Sequence, residues 1–129
     1  GHSGEVIDIT FSTTSTKVAT SSSDQTAKVW DAKTGKLIST CEGHRDEVGK
    51  VVFNPQDSKI LTASDDFTCR LWDARDGNCL EVLEGHTDIV IKCAFNYGGD
   101  RIISASKDNT VRQWKAGEVT EPEEDEFEW

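Results

Sequence analysis

The sequence contains no long apolar run. None of its segments approaches the ~18–20 residues that a membrane-spanning helix requires. No basic-then-apolar leader opens the chain either, so no membrane partner is expected. It also lacks a basic excess. The formal net charge is −10, whereas a nucleic-acid surface needs Lys and Arg to face phosphates. The acids are unevenly placed. Ala116 to Trp129 carry Glu118, Glu121, Glu123, Glu124, Asp125, Glu126 and Glu128 without a single base, leaving 17 acids against 14 bases in the remainder. A near-balanced body with an acidic tail argues against nucleic acid and an anionic membrane surface as partners.

Cysteine is sparse. Cys41, Cys69, Cys79 and Cys93 form no C-x-x-C pair and match no zinc spacing. No metal or cofactor is expected. Cys69 and Cys93 fall in strand-like apolar patterns, where a free thiol acts as a small hydrophobe, and a reducing compartment such as the cytoplasm is the expected location. Catalytic signatures are missing as well: there is no phosphate-cradling glycine loop, no H-E-x-x-H and no G-x-S-x-G. The acidic tail lacks the Gly and ligand alternation of a calcium loop. It reads as a solvated, disordered segment.

What the sequence does have is a repeat. Gly-His occurs at Gly1-His2, Gly43-His44 and Gly85-His86, a spacing of 42 both times. Trp30, Trp72 and Trp114 keep that spacing, as do Asp24, Asp66 and Asp108; Phe11, Phe53 and Phe95; and Ser22, Ser64 and Ser106. A period near 40–45 with Gly-His and Trp-Asp landmarks resembles the WD-repeat signature, whose units are four-stranded propeller blades. Trp30-Asp31 and Trp72-Asp73 supply the dipeptide, and Trp114-Lys115 departs from it. The chain opens inside a motif and without Met, so its true start is expected elsewhere.

The expected fold is all-β, a segment of three four-stranded blades from a larger closed propeller: 1–42, 43–84 and 85–115, with 116–129 as the tail. In the second unit the strands a to d are read at Glu47–Phe53, Lys59–Ser64, Thr68–Asp73 and Cys79–Leu83, separated by turn residues. The third unit has a (Ile89–Phe95), b (Arg101–Ser106) and c (Thr110–Lys115). Residues 116–122 make a poor strand d, so the last blade is expected to lack its outer strand. Since a closed ring needs roughly 4–8 blades, further blades are expected from the parent chain or another chain.

His44, Asp66, Trp72 and a hydroxyl of strand b, either Thr62 or Ser64, look like a catalytic triad. Both hydroxyls share one face by the period of two. Copies occur at His2, Asp24 and Trp30 with Thr20 or Ser22, and at His86, Asp108 and Trp114 with Ser104 or Ser106. A catalytic site is not needed three times in one register. The expected role is structural: each set pairs buried polar groups, and an unpaired one costs about 1–3 kcal/mol. The strand-a residues Ile7, Ile9, Val51, Ile91 and Cys93, read as channel-lining, are mostly apolar, which also speaks against an enzyme.

Function is therefore expected in protein binding. The b–c turns carry Gln25, Phe67 and Asn109 where a Gly usually eases a positive φ. Arg45, Phe67, Ile89, Lys107 and Asn109 are the expected partner-binding residues, on a rim that also presents Glu47, Asp65 and Thr87. The segments Gly85-His86-Thr87-Asp88, Ala94-Phe95-Asn96-Tyr97 and Ser106-Lys107-Asp108-Asn109-Thr110 are similar to those of one WD family, the outer-arm dynein assembly factors with WD repeats. Gln113 departs from it, standing where an apolar residue precedes the Trp. The resemblance implies an adaptor linking axonemal dynein to intraflagellar transport subunits, in the cytoplasm and the cilium or flagellum. The alternative is a general WD adaptor, such as a ubiquitin-ligase substrate receptor or a signalling scaffold.

Overall fold

Alternating apolar and polar residues between short turn signals give the chain its strands. In the computed structural model, which describes residues 1–116 and the backbone of 124–127, these strands form three antiparallel sheets in chain order. The first comprises β1 (Val6–Phe11), β2 (Lys17–Ser22), β3 (Thr26–Asp31) and β4 (Leu37–Glu42). The second repeats it 42 residues on with β5 (Val48–Phe53), β6 (Lys59–Ser64), β7 (Cys69–Asp73) and β8 (Cys79–Leu83). The third has β9 (Val90–Phe95), β10 (Arg101–Ser106) and β11 (Val111–Lys115). Each sheet is a simple meander, inner strand to outer strand. No helix among the described residues is long and apolar enough to cross a membrane.

The expected missing outer strand of the third sheet is corrected at the level of the backbone. Glu124–Phe127, here β12, lies antiparallel to β11 with Val111 opposite Phe127 and Trp114 opposite Glu124. A ladder is made by main-chain N–H and C=O groups, and the open edge of β11 offers these whatever the side chains opposite. A search for an apolar strand directly after Lys115 therefore misses it. The expectation of tail disorder falls, at 117–123 and 128–129, outside the described residues.

The cores lie between sheets. Val51, Phe53, Ile60 and Trp72 of the second blade pack onto Ala19, Ala27, Val29 and Cys41 of the first. Cys93, Ile102 and Trp114 of the third pack onto Leu61, Ala63, Cys69 and Leu71 of the second. Odd-numbered residues of β5 thus face the preceding blade, while the even-numbered Val52 packs towards the following one. This corrects the channel assignment: Val51 and Cys93 are core residues, 0% and 5% exposed. The pleat of strand a aims alternate side chains into the two flanking inter-blade interfaces.

Polar ties join the blades at one rim. Asp57, at φ 58° in the second a–b turn, accepts hydrogen bonds from the N–H and hydroxyl of both Thr13 and Thr14 of the first. Gln56 Nε2 donates to the Gly98 carbonyl of the third blade at 3.0 Å.

Candidate functional site

Each blade is pinned by one hydrogen-bonded chain. In the second, the Trp72 indole N–H donates to Thr62 Oγ1 at 2.9 Å, Thr62 Oγ1 lies 2.6 Å from His44 Nε2, and His44 Nδ1 lies 2.7 Å from Asp66 Oδ2. A carboxylate can only accept. His44 therefore donates from Nδ1, and in the neutral tautomer accepts the Thr62 proton at Nε2, so every link has one donor and one acceptor. The first blade repeats this through Trp30, Thr20, His2 and Asp24 at 2.9, 2.7 and 2.8 Å. The third uses Trp114, Ser104, His86 and Asp108 at 2.9, 2.7 and 2.9 Å.

The geometry decides between the two hydroxyls of strand b. Thr20, Thr62 and Ser104 join the chain. Ser64 instead donates to the Glu47 carbonyl at 2.8 Å and accepts the Asp66 N–H at 3.1 Å. It ties the connection from the preceding strand d to the b–c turn of its own blade. Asp66 Oδ1 accepts both the N–H and the hydroxyl of Thr68, at 2.9 and 2.6 Å, and Oδ2 also accepts the Arg45 N–H at 3.0 Å. The same turn is built on Asp24 with Thr26 and on Asp108 with Thr110.

Burial pushes the Asp66 carboxyl up, but hydrogen bonds from His44 and Thr68 and the Arg45 amide outweigh it and hold the group well below the usual carboxylate range. Asp24 and Asp108 are depressed in the same way, against burial, by Thr26 with His2 and by Thr110 with the Thr87 amide and His86. Chemically the arrangement differs from a nucleophile with its base. The hydroxyl oxygen already accepts an indole N–H, and Thr62 and Ser104 are 0% and 1% exposed, so no substrate atom can reach it. No cluster of His, Cys, Asp or Glu suited to a metal ion occurs among the described residues.

The network brings two loops together at one rim. Asp65 N–H donates to the Glu47 carbonyl and Lys107 N–H to that of Ile89, both at 2.9 Å. Arg45 and Glu47 thus sit beside Asp65 and Phe67, and Thr87 and Ile89 beside Lys107 and Asn109. Arg45, Glu47, Thr87, Lys107 and Asn109 are exposed, Asp65 and Ile89 half-buried. Gln25, Phe67 and Asn109 have φ of 75°, 76° and 69°, the left-handed turn that the sequence pattern calls for. Phe67 keeps 43% of its surface exposed in that position. On the opposite rim Tyr97, which is not among the expected partner-binding residues, is fully exposed. Its place in an a–b turn beside Gly98 and Gly99 is the signal that an aromatic there has no core to enter.

These sheets, their inter-blade cores and the repeated Trp–hydroxyl–His–Asp chain define a propeller-blade repeat protein. The chain belongs to the WD40 family, described as WD domain, G-beta repeat, which matches residues 1–31, 35–73 and 77–115. Among individual proteins, it is 48% identical over 42 residues to Denticleless protein homolog B of Xenopus laevis, and 43% identical over 42 residues to the Denticleless protein homolog of Gallus gallus. Each match covers 33% of this chain and 6% of the relative. A match of that length equals one repeat period, so it reports mainly on the blade framework.

Proposed function

We propose that this chain is a non-catalytic protein-docking platform, with its partner seated on the rim formed by the b–c turns and d–a connections of the second and third blades. The observation that carries this reading is Phe67, an aromatic residue 43% exposed at a left-handed turn position where Gly would be easier. Exposed aromatic and Arg side chains are the usual anchors of an interface. Arg45 stands on the same turn pair.

A general WD adaptor, of the substrate-receptor or scaffold kind, is the reading that family membership supports best. The narrower role, carrying outer-arm dynein on intraflagellar transport in the cytoplasm and cilium, rests on motif resemblance alone. The relatives found over one repeat carry a different name. A direct binding assay with purified outer-arm dynein and transport subunits separates the two: micromolar or tighter binding supports the narrower role, and none leaves the general adaptor. The rim itself is tested with the partner in hand. Phe67→Ala and Arg45→Ala should weaken binding while leaving melting unchanged, and Tyr97→Ala on the other rim should not. Loss confined to Tyr97→Ala moves the site to the a–b turns.

A further inference from the structure

The two interfaces between blades share one pattern and differ in chemistry at one facing pair. Positions 27 and 69 are repeat equivalents on strand c, and positions 51 and 93 on strand a. Ala27 of the first blade and Val51 of the second lie in one apolar core. One interface further on, the same two positions hold Cys69 and Cys93, again in one core. They are 1% and 5% exposed. The Cys69 thiol is within hydrogen-bonding reach of the Cys93 thiol and of the Ser104 hydroxyl, and Ser104 stands opposite Cys93 on the neighbouring strand. Alanine and valine fill this space without reactivity. Two thiols fill it and can also be joined.

The surroundings set the rate of joining. The Cys93 thiol beside it, and then burial, hold the Cys69 thiol well above its usual range. The thiolate is the attacking species, so the pair reacts slowly at neutral pH and faster as pH rises. The other two thiols are unequal. Cys41 is buried and pushed up to about 12, chiefly by burial. Cys79 is exposed, and Arg70 Nη1 donates to its sulfur at 3.8 Å. Cys79 is therefore the competitor for any oxidant, while Cys69 and Cys93 already face each other.

We propose that Cys69 and Cys93 are a modification site: a peroxide converts them to a reversible disulfide that staples the second blade to the third. One sulfur, as thiolate, attacks a peroxide oxygen and becomes a sulfenic acid, and the O–O bond breaks. With hydrogen peroxide the other oxygen leaves as water, taking up the thiol's proton. The second sulfur then attacks the sulfenic sulfur. The S–S bond forms, the S–O bond breaks, and a second water leaves. Two thiols together lose two electrons and two protons, and the peroxide is reduced to two waters. A dithiol reverses the staple by exchange. The link runs from β7 to β9 and fixes two blades to each other, whatever the rim above them binds.

The test treats the full chain with hydrogen peroxide, blocks the remaining thiols under denaturing conditions, and reads tryptic peptides by mass without reductant. Trypsin puts each cysteine on its own peptide: Cys41 on 37–45, Cys69 on 60–70, Cys79 on 76–92 and Cys93 on 93–101. Peptides 60–70 and 93–101 should appear joined, lighter by two hydrogens than their sum, and dithiothreitol should separate them. Joining should be at least about tenfold faster near pH 9 than near pH 7. Cys79→Ser should join as the parent does. Cys69→Ala, which copies Ala27 of the first interface, should fold and show no joined peptide. In the oxidised chain, amide exchange in β7 and β9 should slow by about tenfold or more, with β1 and β2 unchanged. The proposal is overturned if Cys69 and Cys93 stay blockable while Cys79 is oxidised. It is equally overturned if the joined pair is Cys41 with Cys79, or if Cys69 and Cys93 each gain oxygen without joining.

Discussion

Trp72 donates its indole N–H to the hydroxyl of Thr62 at 2.9 Å, with both side chains fully buried. That single oxygen serves two buried partners, since His44 Nε2 lies 2.6 Å away on its other side. Thr62→Val keeps the shape and removes the oxygen, leaving an indole N–H and an imidazole nitrogen unpaired in the core. The expected cost is about 2–3 kcal/mol in urea unfolding. Thr62→Ser keeps the hydroxyl and loses one methyl, so it should cost only about 1 kcal/mol. The third blade already uses Ser104 in this role. Equal losses for the two variants would mean that the methyl, not the hydroxyl, matters at this position.

Asp66 collects hydrogen bonds from His44, Thr68 and the Arg45 amide. Asp66→Ala should therefore destabilise the chain by about 1–3 kcal/mol. A loss under about 0.5 kcal/mol would show that the network carries no stability. The pH dependence has a definite sign. Because the folded-state carboxyl is depressed, its stabilisation is fully present above the unfolded value near 4 and is lost as pH falls below it. The parent should lose stability steeply between about pH 4 and 2, with a shallower acid limb in Asp66→Ala.

Asp57 closes the a–b turns of the first two blades, accepting four hydrogen bonds from Thr13 and Thr14. Burial raises its carboxyl, but these bonds outweigh it and lower the group. Asn tolerates the left-handed φ that Asp57 adopts. Asp57→Asn should thus spare the turn and weaken only the clamp, by about 1 kcal/mol, with faster amide exchange in β1 and β2 than in β10 and β11. Uniform exchange across all sheets would show that the clamp does not hold the first blade separately.

Much of this was legible in the sequence because the repeat carries its own register. The period of 42 fixes the Gly-His, Asp and Trp landmarks, and the turn residues between them bound the strands; Lys59–Ser64 and Cys79–Leu83 fall where the pattern puts them. Alternation could not choose between Thr62 and Ser64, which share a face. The choice depends on Ser64 being spent on the Glu47 carbonyl. Nor does it tell which face of strand a meets a neighbouring blade, which is why Val51 and Cys93 read as channel-lining in the sequence and yet are buried between blades. The Asp57 clamp was hidden for a different reason: in sequence, an acid in a turn looks like any other turn acid, and its partners lie over forty residues away.

Phe67 is where stability and binding should part. Its φ of 76° costs a non-glycine residue roughly 1–2 kcal/mol. Gly removes that strain but gains freedom in the unfolded chain, a penalty of about 0.5–1 kcal/mol. Phe67 is 43% exposed and belongs to neither inter-blade core, so no core packing is lost with it. Phe67→Gly should therefore raise stability by up to about 1 kcal/mol, while Phe67→Ala, which keeps the strain, should leave it nearly unchanged. Both should weaken partner binding by roughly tenfold or more if the ring is an anchor. The two readouts moving in opposite directions for Phe67→Gly would mark a residue kept for contact at the expense of the turn. A variant that gains stability and binds as well as the parent would instead make Phe67 a tolerated drift at a permissive turn, and the rim of the second blade would no longer be the docking surface.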